Sequence, residues 1–388
     1  MRVAINAQFL QEPHTGTGRY LYNLMSALGR VDGVNEYLAL TPRPLAPDAV
    51  PETPSTFQWE VAASRLQRGG ASIEKVAWEQ RTFPRAAKAA NARLMHIPHF
   101  APPLRTYGIP VVVTIHDVIN LRLPLYRARA TSQVYASLVA RAARGATAII
   151  AVSEYSKRDI IELIGVPAER VVVIGEAPAP TYRRVTDAAQ LRAVRAKYGL
   201  SERYILSTGL DARKNISTLI GAFAAVYHEL NEPGLQLFII GDPRRLGTGP
   251  LYPDWRPLAE TFDIGGQVHC ASVDEADMAA VYSACACFAF TSLYEGFGLT
   301  PLEAMACGAP IVCSDRTSLP EVVGSAGLLV DPDDPDRVGA ALYRVLSSRE
   351  QSDDLRARSL AHVKQFSWDK VAATTSSLYT DVTGSGRD

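Results

Sequence analysis

The sequence predicts an α/β protein built from two doubly wound parallel sheets in series, and three observations lead to this fold class. The chain has 388 residues, more than one hydrophobic core usually supports, so about two domains are expected. Short β-branched segments alternate with amphipathic helical segments, which is typical of a parallel sheet covered by helices. The alternation stops at GEAPAPTYRRV (175–185), whose two prolines and lack of periodicity indicate a linker, and then restarts.

The first domain is expected to begin with the strand RVAIN (2–6), followed by an amphipathic helix over 19–30. In that helix Tyr20, Leu24 and Leu28 recur at four-residue spacing on one face. The other predicted elements of this half are strands at VVVTI (111–115), AIIAV (148–152) and VVVI (171–174), and helices over about 131–144 and from Glu154.

The second domain repeats this pattern and is followed by a separate helix. Its predicted elements are strand 204–209, helix 216–229, strand 235–241, a helix that includes 278–285, strand 287–292, a helix from Pro301 and strand 310–315. The last segment is predicted to be a helix capped by Ser367, with Trp368 available for packing. We therefore expect domains at 1–175 and 176–366, a crossover helix with a flexible tail at 367–388, and a cleft between the domains where ligands bind.

Composition narrows the classes of protein. The apolar fraction of 47% and the charged fraction of 21% are ordinary for a soluble globular protein. No apolar run approaches the roughly 18–20 residues that span a bilayer, and the N-terminal segment lacks the apolar core of a signal peptide. The five cysteines form no CxxC pair and are interpreted as reduced thiols. A cytoplasmic protein is expected, either free or at the inner face of the membrane.

The charge is unevenly distributed, although the whole chain is neutral. Residues 1–170 hold 20 Lys and Arg against 13 Asp and Glu, a balance of +7, so the remainder carries −7. The basic half either faces an anionic membrane or lipid phosphate, or it is a solvated arginine-rich surface; the sequence leaves both open. Its largest cluster consists of Arg65, Arg68, Lys75, Arg81, Arg85, Lys88 and Arg93.

Two motifs of the first half follow predicted strands. HTGTGRY (14–20) places Gly16 and Gly18 in a predicted loop before a helix, whose N-terminal amides suit a phosphate. A tight strand-to-helix turn is an equal alternative, because the third glycine of a dinucleotide fingerprint is absent. TIHDV (114–118) places His116 and Asp117 at the ligand edge of a parallel sheet, unless they form only a turn beside a structural histidine.

A basic motif follows the first strand of the second half. In STGLDARKNIS (207–217), Arg213 and Lys214 stand between a strand and a helix, so two cations and a helix N-terminus can converge on one anion. A solvated surface pair is the alternative. The position between strand and helix favours a phosphate site.

The stretch TSLYEGFGLTPLE (291–303) contains two glutamates, eight residues apart. Thr300 as N-cap, Pro301 at the first helical position and Glu303 at the third would form a capping box. Capping explains Glu303 but gives no reason for Glu295 or for the two glycines that follow it. Glu295 is therefore predicted to serve chemistry.

A second acidic motif offers a competing metal site. LLVDPDDPD (328–336) places an Asp-x-Asp after an apolar strand, where it could hold Mg²⁺ or Mn²⁺ on a nucleotide diphosphate. The prolines at 332 and 335 instead favour an ordinary acidic turn, so no metal is predicted.

Taken together, these segments resemble the retaining glycosyltransferases of family 4. The resemblance covers nearly the whole chain and is most specific in its last two segments. It includes GTGRY (16–20), TIHDVI (114–119), AVSEYSKRDI (151–160), LDARKNI (210–216), SLYEGFGLTPLEAMACGAPIV (292–312) and SLPEVVGSAGLLVDP (318–332). WEQRTFP (78–84) and HIPHFAPPL (96–104) are similar to members that transfer mannose or related sugars during bacterial polysaccharide assembly.

The resemblance implies the GT-B fold, in which two Rossmann-like domains face each other across a cleft. It also implies roles for individual residues. Glu295 would contact the donor sugar, Glu303 would bind the ribose, Arg213 and Lys214 would grip the donor diphosphate, and His116 would contact the sugar near the reacting carbon. Trp368 matches the aromatic residue at which the chain returns to the first domain. The remaining donor-binding residues would be Gly16, Thr17, Gly18, Gly209, Gly296, Phe297, Gly298 and Leu299.

The implied reaction moves a hexose, with mannose favoured, from a GDP- or UDP-linked sugar to a glycan or lipid-linked acceptor. The cations and amides would stabilise the departing diphosphate in place of a metal, and no cofactor is expected. No second carboxylate is evidently placed as a nucleophile, so we expect same-face attack with retention. A nucleotide-sugar epimerase and a catalytically silent nucleotide-sugar binding protein are the alternatives. One departure concerns the linker, where Gly175-Glu176-Ala177 replaces the Asn-Gly-Val turn of many relatives.

Overall fold

The structure is a computed structural model that describes residues 1–63, 71–127 and 130–384. It divides into two compact units. Unit 1 comprises Met1–Ala177 and Ser367–Asp388, and unit 2 comprises Pro178–Phe366. Two residues of the predicted basic cluster, Arg65 and Arg68, lie outside the described residues.

The described part of unit 1 contains a seven-stranded parallel sheet in the order β3-β2-β1-β4-β5-β6-β7. The order reverses between β1 and β4, which makes the sheet doubly wound and creates a switch point where ligands commonly bind. The strands are β1 (Arg2–Asn6), β2 (Glu36–Thr41), β3 (Phe57–Val61), β4 (Leu94–Ile97), β5 (Val111–Ile115), β6 (Ala148–Ala151) and β7 (Val171–Val173).

Helices cover this sheet because their apolar faces pack on β-branched strands. All five residues of β5 are buried, as expected of a strand between two helical layers. Ser153 caps the sixth helix by accepting the Ser156 N–H, and Gly165 ends that helix at φ +75°. The helices of this part are α1 (Gly16–Val31), α2 (Ala71–Ala77), α3 (Phe83–Ala89), α4 (Ile119–Arg122), α5 (Ala130–Ala143) and α6 (Glu154–Ile164), with a π-helix at Trp78–Thr82.

The C-terminal helix, Trp368–Gly384, belongs to unit 1 and packs against α1. Its buried Tyr379 hydroxyl lies 2.7 Å from His96 Nδ1 in the middle of the sheet. Its Ser376 donates to the Asp32 carboxylate, which also accepts from Tyr37. Burial alone would raise the pKa of Asp32, but the hydrogen bonds outweigh it and lower the pKa well below its usual range. The polar groups of the helix thus anchor it to the end of α1 and to β4.

Unit 2 contains a six-stranded parallel sheet in the order β10-β9-β8-β11-β12-β13, with its switch point between β8 and β11. The strands are β8 (Arg203–Thr208), β9 (Leu235–Ile240), β10 (Val268–Ala271), β11 (Cys287–Phe290), β12 (Ile311–Ser314) and β13 (Leu328–Val330). The helices are α7 (Ala188–Tyr198), α8 (Ile216–Leu230), α9 (Arg256–Thr261), α10 (Met278–Ala284), α11 (Leu299–Ala306), α12 (Leu319–Val323), α13 (Pro335–Ser347) and α14 (Arg349–His362).

These two sheets confirm the predicted fold class, two Rossmann-like units with a final helix that returns to the first. The predicted strands and helices are present, mostly within one or two residues of their expected ends. The sequence prediction did not include β2, β3, β4 and β10. None of the helices in the described residues is both long and apolar enough to cross a membrane.

Candidate active site

In unit 2, the predicted donor residues lie at the switch point of the sheet. Arg213 and Lys214 follow β8, and Glu295 follows β11; these two strands are parallel neighbours. Because parallel neighbours end at the same edge, residues 81 positions apart in sequence can meet there. The Leu293 amide donates to the Arg213 carbonyl oxygen at 2.7 Å, which joins the two connections through the backbone.

Three donors converge on a single oxygen of Glu295. Arg213 Nη1 lies 2.5 Å, Lys214 Nζ 2.7 Å and Ser292 Oγ 2.7 Å from Oε1. All three of these contacts are made to Oε1, and none of them is made to the second carboxylate oxygen, Oε2. Asp211 Oδ1 lies 3.0 Å from Arg213 Nε and holds the other side of that guanidinium. The cluster therefore has fixed cations and one carboxylate oxygen still able to accept a ligand hydroxyl.

The electrostatics of this cluster keep Glu295 ionised. Burial would raise the pKa of Glu295, but the charges of Lys214 and Arg213 outweigh it and lower the pKa to about 2. Burial lowers the pKa of Lys214, and the Glu295 charge opposes that shift. The Lys214 ammonium also lies 4.4 Å from the centroid of the Phe290 ring, a cation–π contact.

Gly209 leaves the space through which the Lys214 side chain extends. It has φ +85°, and a Cβ added there would stand 2.8 Å from Lys214 Cε. A side chain at this position would therefore both strain the backbone and displace the lysine. The predicted site residue Gly209 thus acts through the shape it leaves for Lys214.

The turn between Glu295 and α11 is held by its neighbours. The Glu295 amide donates to Thr317 Oγ1 at 3.1 Å, and Ser318 Oγ lies 3.0 Å from the Glu295 carbonyl oxygen and 2.5 Å from that of Phe297. Gly298 at φ +122° is the N-cap of α11. Gly296, Phe297 and Gly298 are all buried.

The prediction of a capping box at Thr300, Pro301 and Glu303 is wrong. The helix begins at Leu299, before Thr300, because Gly298 at positive φ turns the chain directly into the helix. A glycine cap has no side chain to accept the first amides of α11, so the N–H groups of Leu299 and Thr300 remain suited to an anion. Glu303 is instead a buried residue inside the helix, 2% exposed.

In unit 1, His116 follows β5 and both of its ring nitrogens are bound. Nδ1 lies 2.8 Å from Glu176 Oε1 and Nε2 lies 3.1 Å from the Pro98 carbonyl oxygen. Because a carbonyl and a carboxylate both accept, the ring donates from both nitrogens and is an imidazolium. Burial lowers the pKa of His116, but Glu176 more than compensates and raises it. The Tyr20 ring meets His116 edge to face at 4.6 Å.

Glu176 is a residue that sequence reasoning missed as part of the site. It is 7% exposed and occupies the linker position at which this sequence departs from the Asn-Gly-Val turn. That departure was the available signal, since a glutamate in a proline-rich linker has no reason to be buried without a charged partner. His116 is that partner.

The glycine motif of unit 1 does not form the expected loop. Helix α1 begins at Gly16, so Gly16, Thr17 and Gly18 form its first turn, with Thr15 as N-cap accepting the Gly18 amide at 3.1 Å. A Cβ on Gly18 would stand 2.2 Å from the Glu12 carbonyl oxygen, and this close packing explains that glycine. The predicted contact of Gly16, Thr17 and Gly18 with the donor stays a prediction.

Unit 1 also contains a pocket of about 940 Å³ at the carboxyl ends of its strands. Its volume lies within the range of small-molecule sites. The walls combine aromatic rings and charged or polar side chains, among them Phe9, Phe100, Tyr126, Tyr135, Lys75, Arg81, His99, His116 and Asp117.

Within the residues that the structure describes, no group of three or more His, Cys, Asp or Glu side chains gathers in a way that could hold a metal ion. The acidic turn considered as a metal site has a different partner. Arg316 Nη2 lies 2.7 Å from Asp331 Oδ1 and 3.3 Å from Asp333 Oδ2. This guanidinium already compensates the Asp-x-Asp carboxylates.

Comparison with known proteins gives matches over both units. Residues 14–176 match the family described as Glycosyltransferase Family 4, and residues 188–361 match Glycosyl transferases group 1. O-antigen chain mannosyltransferase B of Escherichia coli is 30% identical, over 98% of this chain and 99% of its own length.

Solved structures share the fold. Sucrose-phosphate synthase from Thermosynechococcus elongatus aligns with a TM-score of 0.74 at 22% identity and covers 100% of both chains. Anabaena HepE in complex with UDP-glucose aligns with a TM-score of 0.72 at 18% identity, over 98% of this chain and 100% of its own.

Proposed function

This chain belongs to the family 4 glycosyltransferases, and from that premise we propose that it transfers mannose from a nucleoside-diphosphate sugar to a glycan or lipid-linked acceptor in polysaccharide assembly. The observation that carries the proposal is the cluster of Arg213, Lys214 and Glu295 at the switch point of unit 2. The mannosyltransferase relative, similar over nearly its whole length, supports mannose as the hexose.

We assign the donor to unit 2. Arg213 and Lys214 would bind the diphosphate together with the amides of Leu299 and Thr300 at the start of α11. Glu295 would accept a sugar hydroxyl through Oε2, and Glu303 would bind the ribose hydroxyls. Phe297 and the glycines beside it would let the backbone approach the donor closely. Gly16, Thr17 and Gly18 of unit 1 remain proposed donor contacts on the strength of the family resemblance.

The proposed reaction needs charge stabilisation on the leaving group. The bond between the anomeric carbon and the diphosphate oxygen breaks, and its electron pair leaves with the nucleoside diphosphate. Preorganised cations and amides stabilise this charge most in the transition state, which lets the enzyme work without a metal or cofactor. The acceptor hydroxyl would attack from the same face and give its proton to the departing oxygen, so the anomeric configuration is retained.

His116 acts differently from a simple hydrogen-bond donor in this proposal. Since both ring nitrogens are bound by Glu176 and Pro98, His116 would face the reacting sugar as a fixed positive charge. We further propose that the acceptor binds in unit 1, and that the enzyme works in the cytoplasm at the inner face of the membrane. The excess of basic residues before residue 170 supports the membrane assignment.

A thermal-shift series followed by product analysis tests the proposed function. We expect the melting temperature to rise with GDP-mannose or with a UDP-hexose, because a ligand that binds only the folded state at about 100 times its Kd stabilises it by about 2.7 kcal/mol. GMP and UMP serve as controls and should give smaller shifts, since they lack the second phosphate.

The product then decides the stereochemistry. An α-linked product from an α-linked donor, read by NMR of the anomeric proton, supports retention. An inverted product would refute the same-face mechanism, and the absence of a shift with every nucleotide sugar would refute the donor assignment.

A further inference from the structure

The pocket of unit 1 is bordered by a π-helix, a rare backbone form. Residues Trp78–Thr82 form this single turn between α2 and α3, with the sequence WEQRT. π-turns inside helices are often found at functional sites, because the extra residue redirects a side chain. Here Glu79 is directed inward, and its side chain is 0% exposed.

Glu79 binds groups from three other segments of unit 1. Gln8 Nε2 donates to Oε1 at 3.1 Å and the Tyr135 hydroxyl donates to Oε2 at 2.8 Å. Lys75 Nζ lies 3.9 Å from Oε1, and His99 Nε2 lies 3.4 Å from it. Lys75, His99 and Tyr135 line the pocket, so this one carboxylate contacts Lys75 and Tyr135 directly and reaches His99 through Gln8.

We assign the tautomer of His99 from its contact with Gln8. Gln8 Nε2 lies 2.8 Å from His99 Nε2; with the amide as the donor, that nitrogen accepts and the proton is on Nδ1. Burial lowers the pKa of His99, in agreement with a neutral ring. His99 is 5% exposed, and its buried Nδ1 has no hydrogen-bond partner among the described residues. A buried donor without a partner is costly, and a ligand hydroxyl would remove that cost.

The charges of the pocket are balanced. The cationic side chains are Lys75, Arg81 and His116, and the anionic ones at or directly behind the wall are Asp117, Glu79 and Glu176. Among the described residues, these charges are three of each sign, which disfavours a phosphate. The Lys75 ammonium lies 5.5 Å from the centroid of the Phe9 ring and 5.6 Å from that of Tyr135, and these rings add apolar surface. Apolar walls with a few oriented polar groups suit an uncharged sugar.

We propose that this pocket binds the acceptor as a neutral hexose residue at the end of a glycan, and that Glu79 is its positioning residue. Glu79 would not touch the acceptor. It orients Lys75, Tyr135 and, through Gln8, the Nδ1–H of His99 toward the acceptor hydroxyls. This inference rests on the proposed function, because a glycosyl acceptor presupposes glycosyl transfer.

The test compares Glu79→Gln in the full chain with the wild type, using saturating GDP-mannose or the donor identified by thermal shift. The acceptor probes are methyl α-mannopyranoside, which is neutral, and mannose 1-phosphate, which is anionic. Glutamine keeps the shape of the side chain, but an NH2 group replaces one of the two oxygens and donates instead of accepting. We expect an approximately tenfold higher KM for the neutral acceptor, with the donor KM within about twofold of the wild type.

Two further variants separate positioning from folding. Tyr135→Phe removes one of the hydrogen bonds and should raise the acceptor KM only about threefold. Glu74→Gln is the matched control: this buried carboxylate lies on α2, pairs with Arg43 and is not part of the pocket wall. Its acceptor KM and donor KM should both stay at wild-type values, while any loss of stability in either glutamate variant appears in the melting temperature.

Donor hydrolysis without acceptor, followed as nucleotide release, distinguishes the two proposals. If the wild type neither binds nor hydrolyses any donor, the proposed function fails. If hydrolysis proceeds but mannose 1-phosphate is the better acceptor, or the neutral glycoside neither reacts nor binds in a calorimetric titration, the neutral acceptor site is refuted. If Glu79→Gln raises donor and acceptor KM equally, its positioning role is refuted.

Discussion

Each unit of this protein has a carboxylate with little exposure beside the switch point of its sheet, and the two carboxylates are bound in different ways. Glu295 of unit 2 receives a guanidinium, an ammonium and a hydroxyl on one oxygen. Glu79 of unit 1 uses both oxygens, and its closest contacts are the neutral donors of Gln8 and Tyr135. The pKa of both carboxyl groups is lowered, against the effect of burial, so both are ionised at neutral pH.

On the proposed assignments, the same fold would serve two kinds of ligand. Two cations fixed beside Glu295 are already desolvated and oriented, which is what a diphosphate requires. The hydrogen-bond network at Glu79 orients uncharged groups without adding net charge, which is what a sugar requires. The sheet topology creates a binding position at each switch point, and the side chains that follow the strands there determine which ligand fits.

The largest expected effect comes from removing the ammonium group of Lys214, one of the two cations beside Glu295. We expect Lys214→Met to lower kcat by about 10²–10³, the typical cost of losing one preorganised charge-stabilising group. The melting temperature should fall little, because burial already disfavours the Lys214 charge. Steady-state kinetics and a thermal scan measure the two quantities.

The matched control is Lys197→Met. Lys197 Nζ is paired with carboxylates too, 2.7 Å from Asp274 and 2.6 Å from Asp277, in the same unit but outside the Glu295 cluster. The Lys197→Met variant should have the same kcat as the wild type. Equal losses in both variants would mean that the contrast between the two carboxylates has no catalytic meaning.

A smaller effect is expected from the glycine that makes room for Lys214. Gly209→Ala should lower kcat/KM about tenfold, because the new Cβ would displace the lysine side chain. Gly199→Ala is the control, since Gly199 has φ +63° and open space around it, so it carries only the backbone strain of about 1 kcal/mol. Both variants should lose stability, and only Gly209→Ala should lose activity. Similar activities in the two variants would contradict the packing argument.

The smallest effect is a pH dependence confined to unit 1. The pKa of His116 is raised in the folded state by Glu176, so this pair stabilises the fold fully below the unfolded pKa of about 6.5. That contribution is lost as the pH rises through the folded pKa of His116. The free energy of unfolding of the wild type minus that of Glu176→Gln should therefore be larger at pH 6 than at pH 9.

Chemical denaturation at the two pH values measures this difference. The carboxylate of Glu295, with a pKa of about 2, stays ionised throughout this interval and does not contribute. In a His116→Gln background the difference should no longer vary with pH. A difference that grows with pH would refute the assignment of His116 as an imidazolium.

The sequence predicted most of the elements because they depend on local pattern, and alternating β-branched and amphipathic segments identified nine of the thirteen strands in the described residues. The donor roles of Arg213, Lys214 and Glu295 came from the family resemblance and stay a prediction. The structure shows that the three side chains meet, because parallel neighbouring strands end at one edge of the sheet. The strand β2, EYLALT, was not predicted because its apolar residues could equally belong to a helix of similar length.

The Glu79 network could not be predicted, because its members are far apart in sequence and no pattern pairs them. Gln8 and His99 are 91 residues apart, and Glu79 and Tyr135 are 56 apart. The inward orientation of Glu79 also depends on a π-turn, for which the sequence offers no reliable signal. The capping box at Thr300 failed for a related reason, since local motif rules do not include the positive φ of Gly298.

The return of the C-terminal helix to unit 1 has a consequence for the order in which the chain matures during synthesis. Unit 2 is continuous in sequence, so it is complete as soon as Phe366 has left the ribosome. Synthesis of unit 1 begins before that of unit 2 but is completed after it. Ser376 and Tyr379, which bind Asp32 and His96, are synthesised only after Phe366. The nascent protein thus contains an incomplete unit 1 until the residues of the C-terminal helix have been synthesised.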